Sequence, residues 1–422
     1  MNRRGTMGKT PEELYRERVK RIEDAIQLKT PDRVPFTPFC TFFPAKYAGI
    51  SYQEAMYDLD KTEKAIEKFT LDFQPDLCPD TFRIVSWAST LEALGYKQLI
   101  WPGHGLGPNT TYQFVEGEYM KAEEYDDFLL DPTGFLLSVI FPRIYGSLKP
   151  LKNLSSIPAA YYTRAVPFIA SLGTTEMTVA TGSILKAASE AQMVMKQGAA
   201  FAKKMADLGF PPHFGSGIYA PFDYIGDFLR GTKGIMLDMY RCPDKLLEVL
   251  DKVCKLLISP ALKVPKLPGV HMVFIPLHKG LDGFMSQDQF KAFFWPTLKR
   301  IMLDLIESGY TPCPLWEGRC DSRLEIIADM PKGKAVYWFE QTDLIKAKEV
   351  LGDHICIRGN VPASLLNVGT PDQVRDYCRR LIEVVGRGGG FILDGAAGIP
   401  DEAKPENVRA MADAVTQYGL YG

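Results

Sequence analysis

Five apolar runs in the second half of the chain end alike, on a polar residue followed by a helix-start signal. Val273-Phe274-Ile275-Pro276-Leu277 stops at His278, and Pro314-Leu315-Trp316 stops at Glu317-Gly318. Ala335-Val336-Tyr337-Trp338-Phe339 stops at Glu340, Ile355-Cys356-Ile357-Arg358 at Gly359-Asn360, and Gly390-Phe391-Ile392-Leu393 at Asp394-Gly395. Strands alternating with helices predict a parallel sheet. Closed into a barrel, such a sheet brings its strand C-termini together as an active-site rim.

The helix starts between these runs carry their own marks. Ser286 with Gln289 and Ser322 with Glu325 each fit a capping box, and Thr370-Pro371-Asp372-Gln373 joins a cap to a proline and a glutamine. Earlier in the chain, Thr10-Pro11-Glu12-Glu13 opens a helix running to about Leu28. A first strand starts at Arg33-Val34-Pro35-Phe36 and ends near Cys40, a helix covers roughly Tyr52 to Thr70, and Asp76 to Asp80 ends a second strand. From Thr81 to Gly209 the rhythm is lost, apart from a long helix over about Ile184 to Leu208; Phe214 to Pro221 is the third strand. The expected fold is a (β/α)8 TIM barrel, one domain over residues 1–422. A mostly helical insertion, 81–209, lies between strands two and three and covers one side of the mouth.

Composition narrows the partners. The 422 residues are 46% hydrophobic and 24% charged with a net charge of −2, so no basic field invites nucleic acid or anionic membrane. The eight cysteines are scattered without a C-x-x-C pair, which reads as reduced thiols in a cytoplasmic protein. Arg3-Arg4 is not followed by an apolar stretch, so no secretory leader is expected. The apolar stretch from Phe128 to Phe141 is broken by Asp131 and Pro132 and is too short to span a bilayer.

Glu317, Glu340, Asn360 and Asp394 sit on successive strand ends, spaced 23, 20 and 34 residues apart, one βα unit each. Carboxylates gathered round a barrel axis are costly unless a metal, a cationic substrate or a shared proton offsets them. Asn360 and Asp394 serve equally well as caps of the following helices, whereas Glu is a poor cap, which favours a functional role for Glu317 and Glu340. His278 is the histidine best placed at the mouth, as a metal ligand or acid–base group; the plain alternative is a ring satisfied by a backbone carbonyl. His104, in a glycine-rich loop of the insertion, could reach over the mouth. Tyr219 and Asp223, with Asp227 after them, lie where strand three should end, and Trp316 and Trp338 suggest a pocket for a flat or apolar ligand. Core packing is the commoner use of such aromatics.

Several segments resemble the uroporphyrinogen decarboxylase-like superfamily, which includes cobalamin-dependent methyltransferases. They are Pro-Asp-Arg-Val-Pro at 31–35, Arg358-Gly-Asn-Val-Pro362 with Gly369-Thr370-Pro371, Gly389-Gly390-Phe391-Ile392-Leu393, and Gly398-Ile399-Pro400 leading to Lys404-Pro405-Glu406-Asn407-Val408. The family implies a barrel with its site at the C-terminal mouth. True decarboxylases hold a tetracarboxylate with an arginine-rich segment; here that place reads Phe36-Thr-Pro-Phe-Cys-Thr-Phe-Phe43, with Cys40 where a key arginine aligns. The methyl-transferring branch uses zinc on a His-x-Cys and a later Cys; here Leu315-Trp316-Glu317 and Ala397 stand there.

The resemblance therefore implies a methyltransferase moving a methyl group between a small O-methylated compound, such as a methoxylated aromatic, and the cobalamin of a separate corrinoid protein. No Asp-x-His-x-x-Gly signature supports cobalamin held by this chain itself. His278, Glu317 and Glu340 are expected as catalytic residues and as ligands of an oxygen-and-nitrogen zinc site. Asp80, Tyr219, Asp223, Trp316, Asn360 and Asp394 are expected to bind substrate. Family habit adds a homodimer. The alternatives are a decarboxylase or lyase using Asp80 and His278 on a small carboxylic acid, and a non-catalytic barrel binding a tetrapyrrole or corrinoid.

Overall fold

The computed structural model describes residues 8–154, 161–263, 269 and 271–421; the Arg3-Arg4 pair lies outside them. Six parallel strands form a sheet in chain order: Ser216–Gly217, Met272–Leu277, Thr311–Trp316, Val336–Phe339, Cys356–Val361 and Phe391–Gly395. All but the first, which is shorter than the expected third strand, are the apolar runs of the second half. Two extended segments close the ring. Phe36 bridges Leu393 in parallel, with the Leu393 N–H donating to the Pro35 carbonyl at 2.9 Å and the Thr37 N–H donating back to Leu393 at 3.2 Å. The Asp76 N–H then donates to Phe36 at 2.8 Å, and the Cys78 N–H to Pro211 at 2.7 Å. The result is a (β/α)8 barrel.

The helix Pro11–Ile26 begins as its sequence predicts, with the Thr10 side chain and Glu13 exchanging hydrogen bonds in a capping box. Its buried face, Ile22, Ala25 and Ile26, packs against interior residues near the strand starts, Met272, Val336, Cys356 and Ile392 among them. The barrel is thereby plugged at its N-terminal end and open only at the other. The capping boxes of Ser286 and Thr370 form. That of Ser322 does not: its backbone N–H and its hydroxyl both donate to Asp282, at 3.2 and 2.7 Å, and a short 3-10 turn runs through Asp321–Arg323. The helix expected over Tyr52 to Thr70 is two, Tyr52–Tyr57 and Leu59–Phe73, split at Asp58, whose side chain accepts from the Lys61 N–H at 3.0 Å.

Between the second and third strand positions lies the insertion. Its long helix, Thr175–Asp207, starts earlier than expected because Thr174 caps it. The insertion also holds a small sheet that the hydropathy pattern does not show, in which Leu99–Pro102 pairs antiparallel with Gln113–Phe114. Two-residue strands are too short to display a period of two. No helix among the described residues is long and apolar enough to cross a membrane.

Inside the barrel, Arg358 and Asp394 form an ion pair at 2.7 Å, and neither side chain is exposed. The guanidinium also donates to the Thr37 carbonyl at 3.1 Å and lies 4.1 Å from the centre of the Trp338 ring. Burial pushes the Asp394 carboxyl up to about 6 even against the pull of Arg358. Removing one partner strands a buried charge, so Asp394→Ala is expected to cost about 3–5 kcal/mol in urea denaturation. A loss below about 1 kcal/mol would show that water relieves the pair.

Candidate active site

The site grows from one helix meeting one strand end. The helix Pro221–Ile225 continues into a π-helical turn, Gly226–Arg230, placing Asp223 and Asp227 four residues apart toward the end of the strand Met272–Leu277. Such turns recur at functional sites. The buried Asp223 carboxylate accepts from the backbone N–H groups of His278 at 3.0 Å and Lys279 at 2.9 Å, holding the chain as it leaves the sheet. Asp227 takes the two side chains: His278 Nδ1 lies 2.6 Å from its Oδ2, and the Lys279 ammonium donates to its other oxygen. Gly226 makes this possible, because a Cβ there would come within 2.8 Å of Lys279 Cε.

With Nδ1 committed to Asp227, His278 turns Nε2 toward Glu317, 3.6 Å from its Oε1. That is long for a hydrogen bond, so a ligand oxygen can compete for the same proton. Burial pulls the imidazolium down, but the hydrogen bond to Asp227 and the charges of Glu317, Asp223 and Asp227 outweigh it and push its pKa up to about 9. Asp223 is pushed up to about 7, by burial first and then by Asp227. Asp227 goes the other way: burial would raise it, but the bond from His278 and the charges of His278 and Lys279 hold it below the usual carboxylate range. Burial, and behind it the charge of Glu340, raises Glu317 against the pull of His278.

His278, Glu317 and Asp227 line a cavity of about 730 Å³ at the barrel mouth, together with Asp80 and Tyr219. Its apolar wall is aromatic: Phe39 stacks on Phe274 at 5.5 Å, Phe214 lies 5.1 Å from Phe274, and Trp338 packs edge-on below Phe39 at 5.3 Å. The insertion supplies the opposite wall through Tyr112, Phe114 and Glu116. It is fastened to the Asp223–Asp227 helix, because the Tyr119 and Met120 N–H groups both donate to Leu229 at 2.8 Å and the Gln98 amide donates to Phe228 at 3.0 Å.

Other expected site residues lie elsewhere. Trp316 is fully buried on the helix side of the sheet against Phe290, Trp295 and Tyr337, because it precedes Glu317 by one residue and so faces the other way. Asp394 is held by Arg358 below the pocket. Asp223 positions backbone and does not line the cavity. Glu340 accepts from the Gly318 N–H at 2.6 Å, and the Asn360 amide donates to Glu340 and Thr342 carbonyls at 3.3 and 2.9 Å; both line a separate cavity of about 510 Å³. His104 does not reach the mouth; its ring stacks on Trp101 at 4.2 Å. The role of Asp227 as partner of His278 was missed in the sequence; the only signal was its spacing of one turn from Asp223.

A catalytic zinc site normally takes three protein ligands. Of the expected set, only His278 and Glu317 come together, and Glu340 is tied to the backbone. No group of three or more His, Cys, Asp or Glu side chains among the described residues is arranged to hold a metal. These donors do not fit the zinc centre expected from the sequence.

Proton linkage gives a direct check. A histidine raised in the folded state adds stability that is present in full below its unfolded pKa of about 6.5 and is lost as pH rises through about 9. The stability gap between the protein and His278→Gln should therefore be widest below pH 6.5 and shrink to a pH-independent remainder above 9. In NMR titration, Asp227→Asn should bring the His278 midpoint down toward its ordinary value; an unmoved midpoint would remove Asp227 as the cause.

Comparison with known proteins agrees with this architecture. Residues 211–418 match the family model of uroporphyrinogen decarboxylase (URO-D). The uroporphyrinogen decarboxylase of Methylococcus capsulatus is 27% identical over 197 residues, 46% of this chain and 54% of that protein. That of Chlorobium phaeobacteroides is 27% identical over 139 residues, 32% of this chain and 38% of that protein. The chain thus spans about half or less of the curated relatives it matches. A solved methyltransferase from Methanosarcina mazei superposes with a TM-score of 0.61 at 16% identity, over 95% of this chain and 98% of that one, and so shares the fold. The matched region holds the third to eighth strands of the plugged (β/α)8 barrel, just under half of the chain, and it is there that the chain is similar to the uroporphyrinogen decarboxylase family.

Proposed function

We propose that the protein is a methyltransferase that takes a methyl group from a small O-methylated compound, with His278 as the acid that makes the ether oxygen a leaving group. The observation that carries this is the His278–Asp227 pair: an imidazolium pushed up to about 9, fixed at Nδ1, with Nε2 turned toward the cavity. A proton delivered to the departing oxygen spares the formation of a free alkoxide or phenoxide. The charge of Glu317 beside that proton helps to hold it on the imidazole until the oxygen takes it. The corrinoid of a separate protein would supply the nucleophile that accepts the methyl group. A cavity of about 730 Å³ suits one small molecule and leaves no room for a corrinoid beside it, which favours a partner that meets the substrate at the mouth.

The lining argues against the activity named for the decarboxylase relatives. A tetracarboxylate needs several cationic donors. Among the described residues, four carboxylates, Asp80, Glu116, Asp227 and Glu317, face the cavity against Arg83 and His278. Cys40, at the place of the expected arginine, is fully buried. A smaller acid as substrate of a lyase is the second reading, favoured by Asp80, which burial pushes up to about 6. Release of carbon dioxide without methyl transfer would select it.

With a corrinoid partner and an O-methylated substrate, His278→Gln should lower kcat/KM by about 10²–10⁴-fold. Wild-type kcat/KM should fall as pH rises through about 9, where the imidazolium loses its proton. Full activity in His278→Gln removes the acid from the mechanism. Prior treatment with a chelator, followed by metal analysis, should leave the rate unchanged; loss of activity together with about one equivalent of zinc would restore the metal reading.

A further inference from the structure

The Asp80 side of the pocket is unused by the methyl transfer proposed above. Asp80 opens the short helix Thr81–Val85, yet its side chain makes no capping bond. Among the described residues the Asp80 carboxylate accepts no hydrogen bond; only the backbone carbonyl does, from the Arg83 N–H at 3.1 Å. Its one ionic neighbour is Arg83, 3.7 Å away and half exposed, while the Asp80 side chain itself is 19% exposed. A mostly buried carboxylate without a donor is an expensive feature to keep. Arg83 reaches the carbonyls of Phe214 and Gly215 at 3.4 Å, which sets Asp80 beside the strand Ser216–Gly217. There Ser216 lines the pocket, is 8% exposed, and carries a buried hydroxyl with no partner. The rings of Phe39, Phe214 and Phe274 form the adjoining wall, and aromatic faces attract cations. Carboxylates outnumber cations around the whole cavity.

We propose that the Asp80 side of this cavity binds a cationic amine, so that the substrate is an aromatic compound carrying an ammonium group at one end, with its ether oxygen at His278. The ammonium donates to the Asp80 carboxylate and lies against the phenyl rings, while the orphaned Ser216 hydroxyl turns its oxygen to the same group. The methyl ether end of the substrate rests on the function proposed above; the amine site does not.

The test uses three small rings of like shape and no corrinoid protein: benzylammonium, benzyl alcohol and benzoate, titrated into the full chain by calorimetry at pH 7.5. Benzylammonium is expected to bind about tenfold or more tighter than benzyl alcohol, and benzoate more weakly than either. Asp80→Asn keeps the shape and a hydrogen-bond acceptor but removes the charge, and should bring amine and alcohol within about threefold of each other. Arg83→Gln removes the competing cation and should tighten the amine. Equal binding of amine and alcohol, or an amine preference that survives Asp80→Asn, overturns the inference. Should Asp80→Asn fail to fold, the Arg83→Gln titration decides: amine binding that weakens or stays the same overturns the inference. None of the probes carries a methyl ether, so amine selectivity without methyl transfer would sink only the proposed function, and methyl transfer without amine selectivity only this inference.

Discussion

The site depends on how the charges at the end of one strand are satisfied. His278 and Lys279 leave the sheet with two backbone N–H groups and two basic side chains in a largely buried place. Asp223 answers the first two and Asp227 the second. Buried charges are tolerable only when paired, so the helix carrying both aspartates must dock in one rotation and at one height. The insertion then binds to the carbonyls of Phe228 and Leu229 on the next turn of that helix. Through these contacts one electrostatic requirement positions the His278 imidazole and the far wall of the cavity together.

The same arrangement sets the character of the pocket. The helix Pro11–Ile26 plugs the barrel below, the Arg358–Asp394 pair fills the polar centre, and the aromatic layer of Phe39, Phe214 and Phe274 lies above them. What remains open is aromatic and bordered by carboxylates. On the reading proposed above, that combination is what distinguishes this pocket from one built for a tetracarboxylate. The fold tolerates such a change because the lining residues project from strand ends and from the insertion, where replacement does not disturb the barrel.

Much of the barrel was legible because buried parallel strands and capped helices leave short-range marks. The runs ending at His278, Glu317, Glu340, Asn360 and Asp394 all lead into strand ends in the structure, and the Thr10, Ser286 and Thr370 caps form. The Ser322 box failed for a reason invisible in sequence: Asp282, forty residues away, captures both of its donors. The strand-end residues are not equivalent. Trp316 and Glu317 are neighbours and must face opposite sides of the sheet, so only one of them could line the pocket. Asp394 faces inward, but Arg358 on the adjacent strand meets it and draws it into the core.

Local chemistry in the chain determined the strand and helix order, the parallel barrel, the position of an interrupting insertion and the presence of His278 and Glu317 at the mouth. Hydropathy period and capping residues act over a few positions, and a single sequence carries them openly. Tertiary structure alone decided that Asp227 fixes His278, that Asp223 holds the backbone beneath it, that Glu340 turns to the Gly318 N–H, and that the Asp80 carboxylate meets no hydrogen-bond donor among the described residues. Each of those outcomes depends on which charged groups meet across elements tens or hundreds of residues apart, and on how much water is left between them.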